Sequence, residues 1–186
     1  MSHLAVPHQA TRLVFDANQP FGKLRARYEA VVPALDPRRP GDRYGRHARG
    51  PDVVAETDIS ARHGFFLYWR AEMTTLVTEE GEPWPCTRYL MGNRALADNI
   101  YRQDPGVMLY APLNTLIYID SDGGTRFAVD QPSTVFAAFG DPAIAELGLD
   151  LDGQLAELLD VLGIQASSLL GAARPALAAS PSSNAR

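Results

Sequence analysis

The chain reads as an α+β protein, an antiparallel sheet of β-α-β4-α-like order covered on one face by helices. Three observations predict this. A short alternating segment is followed at once by an apolar stripe at helical spacing. Residues 65 to 130 then read as successive strands separated by proline and glycine signals, and a leucine stripe closes the ordered part. Helices segregated to the ends of a run of strands cover one face of an antiparallel sheet and leave the other face open.

Each element has its own signature. Thr11, Leu13 and Phe15 alternate with Arg12 and Asp16, the pattern of a half-buried strand, although Val14 blurs its polar side. Asn18-Gln19-Pro20 is a helix start with proline in the first turn. Phe21, Leu24, Tyr28, Val31 and Leu35 then recur along one helical stripe until Pro33 distorts its last turn. FFLYWRAEM is the next strand, with Phe65, Leu67, Trp69 and Ala71 expected on one face and Phe66, Tyr68, Arg70 and Glu72 on the other. TRYLMG is a further strand and RALADNIYRQ a short helix. VMLYAPLNTLIYID is too long for one flat strand and is divided or bulged by Pro112. Asp120-Ser121-Asp122-Gly123-Gly124 signals a hairpin into TRFAVD. Pro132-Ser133 opens a short helix through Phe139, and Asp141-Pro142 opens another, whose stripe Leu151, Leu155, Leu158, Leu159 and Leu162 ends at Gly163.

One domain is expected over residues 10–164, with an N-terminal extension (1–9), an insertion (36–62) and a flexible tail (165–186) in which Leu169-Leu170 could dock weakly. The insertion gathers Arg38, Arg39, Arg43, Arg46 and Arg49 around His47, against only Asp36 and Asp42. It is either an anion-catching lid or a solvated loop.

Composition narrows the function classes. A net charge of −5 argues against nucleic acid as the main partner. The single cysteine, Cys86, excludes an internal disulfide framework and a multi-cysteine metal cluster. There is no signal-peptide pattern and no run of about 18 apolar residues, so the expectation is a cytoplasmic protein with no membrane partner. No glycine-rich dinucleotide fingerprint, Walker-type loop, H-E-x-x-H or paired-cysteine spacing is present, and no metal is assigned. Asp120-x-Asp122 lacks the downstream glutamate of a calcium loop and reads as a solvated turn. Cys86 reads as a small strand residue rather than a nucleophile.

The open sheet face is where a site is expected. Tyr68, Arg70 and Glu72 alternate on one strand, and Asn114 and Tyr118 on another; if these faces coincide they offer aromatics, a cation, a carboxylate and an amide to a small flat ligand. Glu72, beside apolar Trp69 and Met73, is the candidate catalytic acid or base. Tyr68, Trp69, Arg70, Met73, Asn93, Asn114 and Tyr118 are the candidate ligand-binding residues. The plain alternative is an ordinary half-exposed sheet face or a dimer seam. Register decides between the faces, because one residue of slip reverses them.

Between residues 83 and 132 stand Pro83-Trp84-Pro85, Tyr89-Leu90-Met91-Gly92-Asn93, Asp104-Pro105, Ala111-Pro112-Leu113, Leu116-Ile117-Tyr118, Asp122-Gly123-Gly124 and Gln131-Pro132. In that order and spacing they resemble the pattern of the DUF302 family. It implies a TATA-binding-protein-like β-α-β4-α fold without implying DNA binding. The chain departs from the family pattern at the end of the second strand (Glu72-Met73 in place of Asp-His), after Leu-Pro-Leu (Asn114 in place of Lys) and after Gly-Asn (Arg94 in place of Pro). A divergent, bacterial member with its own ligand is the expectation. The leading functional reading is a small-molecule-binding protein, an enzyme of a specialised metabolic pathway if Glu72 works as acid or base, and a homodimer, its cofactor unknown. The rivals are a non-catalytic dimerising or sensor module and a haem protein ligated through His63 or Met73.

Overall fold

A computed structural model describes residues 5–35, 63–73, 84–93 and 101–170. The arginine-rich insertion with its proposed lid, residues 94–100 of the expected short helix including Arg94, and the tail from 171 lie outside the described residues. The described elements are β1 (Arg12–Asp16), α1 (Phe21–Val31), β2 (Phe66–Glu72), β3 (Cys86–Gly92), β4 (Leu113–Ile119), β5 (Thr125–Asp130), α2 (Pro132–Phe136), α3 (Pro142–Val161) and α4 (Ser167–Leu170). The strands form one antiparallel sheet in the order β1-β5-β4-β3-β2. The expected α+β architecture is therefore the observed one.

Local chemistry accounts for the boundaries. β1 alternates strictly, with Leu13 and Phe15 buried and Arg12, Val14 and Asp16 exposed. Asn18 takes a φ of 48°, and Pro20 then presets the entry to α1. A 3₁₀ turn (Pro105–Leu109), capped by the Asp104 carboxylate accepting from Gly106 N–H, and a cis Ala111–Pro112 bond separate Val107 from β4. The long apolar run is thus divided at Pro112, as its length requires. In the β4–β5 turn, Asp120 accepts from the N–H groups of Asp122 and Gly124 and from Arg126 Nε. Asp141 caps α3 by accepting from Ala143 and Ile144 N–H, and Gly163 ends it at φ +79°.

The core lies between the sheet and the helices. Leu24, Tyr28, Tyr89, Met91, Ile117, Phe127, Phe136, Ile144, Leu155 and Leu158 are fully buried there. The buried Asp152 carboxylate ties α3 to α2, accepting from Ser133 N–H, Ser133 Oγ and Gln131 Nε2. Burial satisfied by that many donors costs little. Arg27 and Gln19 donate to the carbonyls of Val161 and Leu162, closing the C-terminal end of α3 from the α1 side. The first residues expected in the flexible tail belong to this layer: Ala166 and Leu170 are buried.

Candidate functional site

The face of the sheet away from the helices is set by pairing. On β3, Thr87, Tyr89 and Met91 point into the core, so Cys86, Arg88 and Leu90 point to the open side. Opposite them on β4 stand Tyr118, Leu116 and Asn114. On β2, Trp69 pairs with Leu90 and Ala71 with Arg88, so both share the open face.

A bulge decides the rest. Between Leu67 and Trp69 the register shifts, leaving Tyr68 as an extra residue. Leu67 faces the core opposite Met91, but beyond the bulge the core side passes to Arg70, opposite Tyr89, and Glu72, opposite Thr87. Unbroken alternation would have put Tyr68, Arg70 and Glu72 together on the open face. Instead Arg70 and Glu72 lie on the α1 side. Glu72 accepts from Arg25 Nη1 at 3.0 Å and Thr87 Oγ1 at 2.9 Å. Arg70 Nη1 donates to both oxygens of Glu29 at 3.1 Å, and Tyr89 Oη donates to Glu29 Oε1 at 2.9 Å. Burial, then the bond to Glu29, pushes the Tyr89 phenol well above its ordinary range, so it serves as a donor.

Asn114 and Tyr118 do share the open face, without Glu72 or Arg70. Arg88 joins them, placed there by the alternation of TRYLMG. Its Nε and Nη2 donate to Asn114 Oδ1 at 3.0 and 2.6 Å. The other strand arginines face carboxylates: Arg12 pairs with Asp130, Arg70 with Glu29, and Arg126 with Asp16 and Asp120. Arg88, exposed, is held by a neutral amide and keeps its net charge. Trp69 is 46% exposed beside this pair, and Leu90 and Leu116 form the floor.

Tyr68 and Asn93 gather at one end of the sheet. A Cβ added to Gly92 would lie 3.2 Å from the Tyr68 ring and 3.1 Å from Pro112, which explains a glycine there. Asn93 Nδ2 donates to Gln154 Oε1 on α3 at 3.1 Å. Met73 lies past the far end of β2, its N–H on the Cys86 carbonyl. His63 precedes β2 and Met73 follows it, so the two alternative haem ligands flank opposite ends of that strand. Burial, and then the Glu72 carboxylate, raises the Cys86 thiol, which keeps it protonated and poorly nucleophilic. Among the described residues, no group of three or more His, Cys, Asp or Glu side chains converges to hold a metal ion, and no helix is long and apolar enough to cross a membrane.

An open-faced antiparallel sheet with its helices on one side is the class this architecture defines. The family model described as "Domain of unknown function DUF302" matches residues 53–162, and the chain belongs to that family. The resemblance seen from Pro83 to Pro132 is thereby confirmed. Among solved structures, the chain is similar to an uncharacterized conserved DUF302 protein from Bacillus stearothermophilus, with 18% identity and a TM-score of 0.58, covering 81% of this chain and 97% of that one. No curated protein matches.

Proposed function

We infer that the open sheet face binds a small, flat organic anion. The observation that carries this reading is Arg88, a strand arginine whose partner, Asn114, is neutral. A guanidinium held in place by an amide keeps both its charge and unused N–H donors for a carboxylate or phosphate. Trp69 supplies an aromatic surface and Tyr118 a second one along β4. Asn114 orients Arg88, and its own amide N–H2 is available to the ligand. No reaction is assigned to this face. Glu72, the candidate acid or base, stands across the sheet within an ion network, where it is a structural partner of Arg25. A cytoplasmic, bacterial setting is part of the proposal and rests on the sequence alone.

The test uses an aromatic sulfonate dye, anilinonaphthalene sulfonate, as a flat anionic probe, followed by its fluorescence and by quenching of tryptophan emission. Arg88→Gln is expected to weaken binding about tenfold or more, the scale of one charge-assisted contact. Trp69→Leu is expected to weaken it and to reduce the quenching to what exposed Trp84 alone gives, while Glu72→Gln leaves it unchanged. Equal binding by the parent and Arg88→Gln, or a loss in Glu72→Gln as large as in Arg88→Gln, overturns the reading.

A further inference from the structure

The strand order leaves two edges, β1 and β2, and they are treated differently. An exposed edge is a template for another chain, and proteins commonly blunt it with a bulge, a proline, a lysine or a covering segment. β2 has two of these devices. Its bulge breaks the ladder at Tyr68, and the chain leaving α1 lies parallel to it, with Leu35 N–H donating to the Leu67 carbonyl and Leu67 N–H to that of Pro33.

Among the described residues, β1 has none of them. Its register against β5 runs unbroken from Arg12–Asp130 to Asp16–Arg126, and RLVFD contains no proline, glycine or lysine. The Thr11 carbonyl accepts from Gln131 N–H, and Ala17 N–H donates to the Thr125 carbonyl. Odd-numbered residues therefore turn their backbone groups toward β5, and Arg12, Val14 and Asp16 turn theirs outward. The preceding residues lead away from this edge: Thr11 N–H donates to Thr134 Oγ1, and His8 Nε2 lies 3.0 Å from Tyr110 Oη. Among the described residues, no segment pairs with the outer side of β1.

The strand is also complementary to itself. In antiparallel pairing about a two-fold axis at Val14, Arg12 stands opposite Asp16 of a second copy, and Asp16 opposite its Arg12. Each outward residue then both donates and accepts a ladder bond. Arg12 already pairs with Asp130 at 3.2 Å, and Asp16 with Arg126. The row Asp130, Arg12, then Asp16 and Arg126 of the second copy alternates in sign across the junction. An axis at Arg12 or Asp16 would set like charges face to face and shorten the overlap. These charges are exposed, so they select the register more than they add affinity.

We propose that β1 pairs antiparallel with β1 of a second copy about a two-fold axis at Val14, joining two five-stranded sheets into one of ten strands. The partner is this chain itself. The junction is independent of Arg88 and Trp69, which stay on the open face of the joined sheet.

Light scattering coupled to size exclusion, over a dilution series, tests this. The parent chain is expected to be a dimer. Val14→Lys sets two ammonium groups on the axis, and Val14→Glu two carboxylates; Val14 is an exposed side chain, so each variant is expected to fold, checked by circular dichroism. Each alone is expected to dissociate at about tenfold higher concentration or more than the parent. Mixed together, they are expected to form a one-to-one heterodimer, seen by native mass spectrometry. A monomeric parent, variants that dimerise as tightly as the parent, or a mixture that forms no heterodimer overturns the proposal.

Discussion

The two faces of the sheet carry the same chemistry to different ends. On the helix side, Arg25, Glu29, Arg70 and Glu72 neutralise one another beside the buried ring of Tyr89. On the open side, Arg88 is matched with an amide and stands among half-exposed apolar residues. A charged side chain that meets its counter-ion within the chain serves the fold. One that is held in place without being neutralised remains able to attract something else. Residue type therefore said less about role than the partner each side chain was given.

The largest expected effect sharpens that contrast. Phe127, fully buried on the helix side of β5, should cost about 3–5 kcal/mol when replaced by alanine. Leu116→Ala, on the open side of neighbouring β4, should cost about 1 kcal/mol or less, because its side chain is only partly withdrawn from water. Urea denaturation measures both, and equal losses would mean that the open face is covered.

Within the helix layer, Gly148 of α3 packs so closely on α2 that an added Cβ would lie 2.9 Å from both Phe136 Cβ and Ser133 Cα. Gly148→Ala should therefore destabilise by about 1–3 kcal/mol through overpacking. Helix propensity alone would favour alanine by about 1 kcal/mol. A stabilised variant would break the picture of a close-packed covered side.

Glu72→Gln should lower the unfolding free energy measured in urea by less than about 1 kcal/mol, since Arg25 and Glu72 are each more than a third exposed. The smallest effect is on pH dependence. The Arg126 guanidinium, with the N–H groups of Gly124 and Asp122, holds the Asp120 carboxyl below its ordinary value. Its contribution is present above the unfolded value, about 4, and is lost as pH falls through the lower folded value. Asp120→Asn should flatten the acid limb of a pH–stability curve below about pH 4. An unchanged limb would assign acid sensitivity to other carboxylates.

Most of the fold was legible from local patterns. Alternation at Leu13 and Phe15, the Asp120–Gly124 turn and the Asp141 cap each correspond to an observed element, because each depends on residues close together in the chain. The site was legible only in part. Trp69, Asn114 and Tyr118 share the open face, and Tyr68 lies over Gly92 at its end. Arg70 and Glu72 were misplaced because a period of two, carried across Tyr68, takes no account of an extra residue. The departure from the family pattern at Glu72-Met73 marks a position facing α1, whereas Asn114 is the departure that meets Arg88.

What the sequence determined by itself was the order of elements, the family and the apolar stripes that become the core, since hydrophobic periodicity and turn chemistry act over a few residues. Which charges were neutralised, which face kept Arg88 and which edge was left unpaired were decided only when strands distant in sequence came into register. Pairing is a property of two strands at once, and one bulge in β2 was enough to exchange its faces.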